Sequence, residues 1–361
     1  MVAVAAILLA GVVSCSSSSA QVRATSTTST TSTIAPEPPS TAAAPAGAEV
    51  TQPPQPTSGP GSSDLAHRGW KVSSGGIGAD AWYVFEPTSP RPRSAPLAVV
   101  LHGYYEFDGY ASMYELIRHT VLGGSVVIYP RWQIDVAAPC PGPIDVEPCV
   151  QSSVAGIRGA LDFLAADPTR VQPDLARTSY LGFSFGGILT ANLANRWDPL
   201  DLPEPKAIFL DDPHDGGIDG PGEPALDDSM TGIPATVLLE CHQGAEGVIA
   251  EDPTGGCNAL FRKLGHIPAA GKAIVSTVPD AHGLPALSSR HGVCAARKGE
   301  ADAYDWNFCW KVWDDLRSAV RAGEPPAVAI GDSAAHTGNG RWSDGTPIAP
   351  LAVQHGASLG P

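Results

Sequence analysis

The chain has 361 residues, 43% of them hydrophobic, and a formal net charge of −15. An acidic chain of this balance is repelled by nucleic acid and by anionic lipid headgroups, which excludes both as electrostatic partners. Its length suffices for one large domain with a substantial core, and no internal repeat divides it.

The first residues, "MVAVAAILLAGVVSC", are apolar and end at small residues before a cysteine, the pattern of an export signal over 1–14. No Lys or Arg precedes the apolar run. The segment "VVSC" resembles the lipobox of bacterial lipoproteins, which implies a lipid on Cys15 and attachment to a membrane through it; plain secretion with Cys15 incidental is the alternative. Residues 15–64 are dominated by Ser, Thr, Pro and Ala, with too little apolar mass to offset the entropy of ordering them, so a disordered tether is expected.

A catalytic or binding domain over 65–322 follows. Seven short β-rich runs punctuate it: "AWYVFEP", "LAVVLHG", "SVVIYP", "SYLGFS", "KAIFLD", "ATVLLE" and "KAIVSTV". Continuous apolar runs of this length predict strands covered on both faces. Between them lie helical patterns: "YASMYELIRHTVL", "SSVAGIRGALDFLAAD", "GGILTANLANRW", "CNALFRKL" and "ADAYDWNFCWKVWDDLRSAVRAG". The alternation predicts an α/β fold, a mainly parallel central sheet with helices on both faces. In such sheets ligands bind beyond the carboxyl ends of the strands.

Candidate chemistry collects at that edge. Ser184 sits in Gly-Phe-Ser-Phe-Gly between a strand and a helix. The five-residue pattern carries little by itself, but that context is the one in which a serine hydroxyl stands exposed above a sheet. A serine needs a base, and the base an acid. His282, in the loop after the last predicted strand, is the expected base and His291 the next choice. His242 and His214 lie nearer other strand ends, and His102 is expected to be structural. Asp212 is the expected acid, because the Asp-Pro turn fixes its carboxylate where the strand ends; Asp211, Glu246 and Glu240 stand behind it. The backbone N–H groups of Tyr104 and Phe185 would face the oxyanion.

At these residues the chain, from about Trp82 to Arg321, resembles the α/β-hydrolase superfamily. "GFSFGG", "LDDPHDG" and "DAHGLPAL" are similar to the elbow, the Asp-Pro turn and the histidine loop of chlorophyllases, and more loosely to platelet-activating-factor acetylhydrolases and cutinase-like polyester hydrolases. The chlorophyllase pattern carries the acid over to Asp212. The cutinase-like pattern places it after the next strand, where this chain offers Glu246.

The connection after "KAIFL" is too short and too polar for a large helical cap. An open cleft rimmed by Tyr104, Tyr105, Phe107, Trp132 and Phe183 is therefore expected to receive acyl or aryl groups, although each aromatic could equally be a core anchor. The loop "DDPHDGGIDGPGEPALDD" has carboxylates enough for calcium, but its spacing is not that of an EF-hand, and a solvated acidic loop is the reading preferred. Setting Cys15 aside leaves six of the seven cysteines. Proximity along an exported chain suggests Cys140–Cys149, Cys241–Cys257 and Cys294–Cys309, the last steadying the base; no C-x-x-C spacing points to a metal. The Gly- and Pro-rich tail, 323–361, is expected to pack on the domain through Trp342 and Ile348.

These features lead to an exported, monomeric serine hydrolase that cleaves a small-molecule, lipid or polymer ester without a cofactor. A peptidase or amidase on the same triad is the nearest alternative. A catalytically silent ligand-binding lipoprotein is the other, and it would need none of the three side chains.

Overall fold

Residues 97–101 are apolar at every position and wholly enclosed, because both faces of the sheet they enter are covered by helices. The computed structural model describes residues 49–136, 138–140, 146–214, 225–246 and 255–356. Cys15 and most of the expected tether therefore lie outside the described residues, as does the middle of the acidic loop weighed for calcium.

Nine strands form one sheet: β1 (Gly69–Gly75), β2 (Trp82–Thr88), β3 (Ser94–Leu101), β4 (Val126–Pro130), β5 (Gln172–Phe183), β6 (Pro205–Asp211), β7 (Leu238–Gln243), β8 (Lys272–Ser276) and β9 (Ala352–Gln354). Their order is β1-β2-β4-β3-β5-β6-β7-β8-β9. The strands from β4 to β8 in this order run parallel, while β1, β2 and β9 are antiparallel to their neighbours. The fold is α/β, as the alternation of elements predicts.

Side chains alternate across each strand, and the helices divide accordingly. On one face, Phe85, Val100, Val127, Phe209 and Val275 pack with α1 (Tyr114–Leu122) and α5 (Trp310–Ala322). On the other, Val99, Leu101, Val126 and Ile128 pack with α2 (Glu147–Ala165) and α3 (Phe185–Asn195), and Ile208, Leu210 and Ile274 with α4 (Gly256–Lys263). Helix α5 shows its sidedness in sequence: Val312, Trp313, Leu316 and Ala319 recur at helical spacing and are buried. It ends at Gly323, whose φ of 69° is the left-handed cap that glycine accepts without strain.

The chain leaves β3 over α1 to β4 on one side, then returns over α2 to β5 on the other. Strand order thus reverses at β3, and Leu101 stands in register with Gly182 at the point where a crevice opens. The connection from β6 to β7 contains no helix among its described residues.

Two boundaries differ from expectation. Residues 49–64, assigned to the tether, lie on the domain: Thr51 N–H donates to Ser343 Oγ at 2.9 Å and Gly61 N–H to Asp314 Oδ2 at 2.9 Å. A proline-rich segment needs no core of its own when neighbouring loops supply its partners. The run "ATVLLE" pairs only from Leu238, because a turn from Pro234 to Val237 precedes it, and the strand extends through His242. Strand β1 carries no continuous apolar signal, since it is an edge strand none of whose residues is buried.

The three disulfides are Cys140–Cys149, Cys241–Cys257 and Cys294–Cys309, with Cα–Cα distances of 5.6, 5.7 and 5.5 Å. They fit an oxidising, extracytoplasmic setting. Among the described residues no helix is long and apolar enough to cross a membrane.

The tail closes the far edge of the sheet. Strand β9 pairs with β8, and Trp342 and Ile348 are buried, as expected of them. Inside, His336 Nε2 meets Glu240 Oε1 at 2.9 Å while its Nδ1 meets the Gly331 carbonyl. Two acceptors on one ring call for the doubly protonated imidazole. Burial alone would strip that proton, but the Glu240 carboxylate outweighs it and raises the His336 pKa. Glu240, a fallback acid in sequence, is thereby committed to the tail, and its Oε2 accepts the Ile330 N–H at 2.8 Å.

A raised histidine pKa stabilises the fold fully below the unfolded value of 6.5 and loses that contribution as pH rises through the folded value. Urea midpoints should therefore fall as pH climbs above this value. His336→Gln should start lower and show a flatter pH dependence over the same range; an unchanged slope would mean that the ring is neutral in the native state.

Candidate functional site

Strand β5 enters α3 through Ser184, whose backbone adopts φ 56° and ψ −126°. The turn is so tight that a Cβ on Gly182 would lie 2.3 Å from the Gly186 carbonyl oxygen, and one on Gly186 would lie 2.2 Å from that of His102. Only glycine fits either place. The elbow is locked by the Ser184 N–H, which donates to the Asp211 carbonyl at 2.9 Å, and by the His214 N–H, which donates to the Ser184 carbonyl at 3.1 Å.

Ser184 Oγ lies 2.8 Å from His291 Nε2, and the ring packs on Phe183 at 4.9 Å between centroids. His291 Nδ1 faces Asp212 Oδ2 at 3.7 Å. That separation is ion-pair range rather than a hydrogen bond. Asp212 Oδ1 accepts the Gly244 N–H at 2.5 Å, whereas the buried Oδ2 has no hydrogen-bond partner. It is the acceptor that a proton on His291 Nδ1 would find. Burial would raise the Asp212 pKa, but His242, His291 and the Gly244 N–H together hold it below the ordinary value. The carboxylate stays charged beneath the ring.

The histidine expected at Ser184 is corrected. His282 does not reach Ser184; its Nε2 pairs with Asp344 Oδ2 at 2.7 Å on the surface, beside Trp342. After β8 the chain makes an excursion closed by an antiparallel bridge between Asp280 and Leu287, with His282 on its outer part. It then returns to the end of β7, where Ser289 N–H donates to Glu246 Oε2 at 2.7 Å and Ala245 N–H donates to Ser289 Oγ at 2.8 Å. Two residues later comes His291. Glu246 is therefore an anchor of the histidine loop, and the Cys294–Cys309 disulfide pins that loop's far side to the start of α5.

Asp211 has a separate task. Its Oδ1 lies 2.7 Å from His242 Nδ1 and its Oδ2 accepts the Cys294 N–H at 3.1 Å. His242 Nε2 continues to Thr277 Oγ1 at 2.9 Å, and Thr277 Oγ1 to Ser289 Oγ at 2.6 Å. The chain Asp–His–Thr–Ser has the chemistry of a relay, but all four side chains are sealed from solvent, and no substrate reaches them. Burial works against a proton on His242, while the charges of Asp212, Asp211 and Glu240 outweigh it and raise its pKa. Asp211, Asp212 and His242 stand close enough to be considered as metal ligands. Apart from Asp212 Oδ2 these atoms are already engaged, Asp211 with His242 and the Cys294 N–H, His242 also with the Thr277 hydroxyl, and Asp212 Oδ1 with the Gly244 N–H.

Opposite Ser184 runs the loop after β3. A Cβ on Gly103 would lie 3.2 Å from Ser184 Cβ and 2.7 Å from the Phe183 ring, so this loop runs close against the elbow. Phe185 is the first residue of α3, where an N–H has no acceptor one turn earlier. The N–H groups of Tyr104 and Phe185 are the two expected at an oxyanion. His102 supports the loop from beneath: its Nδ1 is 2.8 Å from the Gly103 carbonyl and its Nε2 2.5 Å from the Arg131 carbonyl, but unlike the Glu240 carboxylate at His336 neither acceptor is charged, and burial pushes the His102 pKa down to about 4. Its structural role was anticipated.

The aromatic rim is only partly as expected. Tyr105 is 52% exposed, and Tyr104 and Phe107 are half-buried. Trp132 and Phe183 are buried, because Trp132 stacks on His102 at 4.5 Å and Phe183 lies under the His291 ring. They shape the floor of the site. Sequence reading missed Gln133, whose Oε1 accepts the Tyr105 N–H at 3.2 Å and holds the turn after Tyr104.

No protein-family model matches the chain, and no curated protein sequence matches it.

His291→Ala should abolish covalent labelling of Ser184 by a fluorophosphonate, whereas His282→Ala should label at close to the wild-type rate. Mass spectrometry of the modified peptide distinguishes the two; the reverse pattern would restore His282 as the base.

Proposed function

We propose that the protein is an exported serine hydrolase of the α/β-hydrolase type that cleaves carboxylic esters through an acyl-enzyme. The observation that carries this reading is the 2.8 Å contact between Ser184 Oγ and His291 Nε2 at a strand-to-helix elbow, with the Asp212 carboxylate behind the ring. A purely structural serine would not need the strained backbone that lifts its hydroxyl towards a histidine.

In the proposed cycle Ser184 Oγ attacks the acyl carbon and its proton passes to His291 Nε2. Asp212 stabilises the imidazolium. The N–H groups of Phe185 and Tyr104 receive the charge that develops on the carbonyl oxygen. The same proton then leaves on the alcohol oxygen as the ester bond breaks. Water, deprotonated by His291, attacks the acyl carbon, and His291 returns that proton to Ser184 Oγ as the acyl–serine bond breaks and the acid is released. The chemistry draws on protein groups alone.

The site is open on the Tyr105 side, where Ile134 and Val136 are also exposed, and this supports an apolar acyl group. The three disulfides support a location outside the cytoplasm, and the sequence around Cys15 supports a lipid anchor.

Hydrolysis of a short p-nitrophenyl ester by the chain from residue 48 onward tests this reading. Ser184→Ala should lower kcat by about 10³-fold or more with circular dichroism unchanged. A folded wild type that neither turns over the ester nor reacts with a fluorophosphonate would exclude it.

A further inference from the structure

The loop after β3 makes a four-residue turn. The Glu106 N–H donates to the Gly103 carbonyl at 3.4 Å, and of the two residues between them only Tyr105 has a positive φ, 69°. That combination is a type II turn, whose third position favours glycine because a side chain there is strained. This chain places a tyrosine in it. The strain would be relieved by turning the Tyr104–Tyr105 peptide over into a type I turn, which most residues accept.

The end of β4 stands against that relaxation. The Tyr105 N–H donates to Gln133 Oε1 at 3.2 Å, so the peptide that would have to turn over is held by its own N–H. Gln133 is itself presented by a second strained turn, in which its N–H donates to the Arg131 carbonyl at 2.5 Å across Trp132, whose φ is 42°. Trp132 stacks on His102 at 4.5 Å between centroids, and Arg131 Nη2 donates to the Phe107 carbonyl at 3.2 Å. Three successive residues thus grip the loop before, within and after its turn.

Gln133 is poorly suited to packing alone. It is wholly enclosed, and its Nε2 has no hydrogen-bond partner. A buried amide with an unmatched amino group destabilises a fold relative to an apolar side chain of the same size. What the residue supplies is the single bond that its side-chain oxygen makes.

We infer that Gln133 is a positioning residue of the reaction, which holds the turn at Tyr104 and Tyr105 in its strained form and so keeps the Tyr104 N–H set for the oxyanion. This rests on the hydrolase reading above. Tyr104 belongs to both peptides, the one that carries the oxyanion donor and the one that Gln133 holds, so a change in its ψ rotates one against the other. The loop has little slack to absorb such a change: a Cβ on Gly103 would lie 2.7 Å from the Phe183 ring, and the Tyr104 ring packs on Phe185 at 5.4 Å between centroids.

The test is a double-mutant cycle in the chain from residue 48 onward, read with p-nitrophenyl butyrate. Gln133→Met removes the acceptor at nearly constant volume. It should lower kcat by about 30-fold with KM changed by less than about threefold, because acylation and deacylation both pass through an oxyanion. Its melting temperature should not fall, since the unmatched amino group is gone and the turn relaxes. In a Tyr105→Gly background the third position of the turn carries glycine, and the same substitution should lower kcat by no more than about threefold. An equal loss in both backgrounds means that Gln133 acts through packing, and no loss in either means that it does not act on the reaction; each result overturns the inference. If Gln133→Met does not fold, amide exchange in the wild type decides the matter. The Tyr105 N–H should be protected although its side chain is 52% exposed, and exchange at the rate of an open amide overturns the inference. A wild type with neither ester turnover nor fluorophosphonate labelling removes the hydrolase reading, and this inference with it.

Discussion

The site depends on the acidic pair that ends β6. The Asp211 carbonyl accepts the N–H of Ser184, which fixes the elbow, and the Asp212 N–H donates to the His242 carbonyl, which fixes the end of β7. The Asp211 side chain then orients His242 and takes the Cys294 N–H, while the Asp212 side chain takes the Gly244 N–H and faces His291. Two adjacent residues thus tie together three segments distant in sequence. Their side chains point in different directions because Asp212 adopts a φ of 45°, which turns the chain sharply out of the strand.

That geometry explains how two neighbouring carboxylates coexist in a buried place. Like charges this close would normally force one to take up a proton. Here the imidazole of His242 lies 2.7 Å from Asp211 and 4.0 Å from Asp212, and the two carboxylates raise its pKa, favouring the cation that eases their repulsion. His242 is therefore a buried support for both carboxylates, out of reach of Ser184. It also links the acid to Thr277 and Ser289, the residues that carry the chain out of β8 and back to His291.

Much of this was legible in the sequence, for identifiable reasons. Strands covered on both faces announce themselves as apolar runs, and an elbow needs glycines that a reader can see. The doublet was legible because an Asp-Pro turn follows an apolar strand. The choice of histidine was not legible. Distance along the chain favoured His282, but the segment after β8 folds back on itself, and what decides the outcome is the clamp on Ser289 from Glu246 and Ala245, a contact across more than forty residues. The one local signal for His291 was Cys294, three residues on, since a disulfide near a loop histidine holds it still. Trp132 was misplaced at the rim for a similar reason: nothing in its neighbours shows that it turns inward onto His102.

Backbone strain marks the same place. Of the seven non-glycine residues with positive φ among the described residues, Tyr105, Trp132, Ser184 and Asp212 surround the crevice. Each such conformation costs on the order of 1–3 kcal/mol and persists only where neighbours over-determine it. The neighbours here are specific: the Gln133 amide oxygen on the Tyr105 N–H, the His102 ring against Trp132, the Asp211 carbonyl on the Ser184 N–H and the Gly244 N–H on Asp212. Four strained residues held from four different elements form a rigid frame. Against it His291 stands 3.7 Å from Asp212 on a loop fixed on both sides, by Ser289 before it and by the Cys294–Cys309 disulfide after it, so whatever freedom is left at this contact lies in the half-exposed ring and not in the chain that carries it.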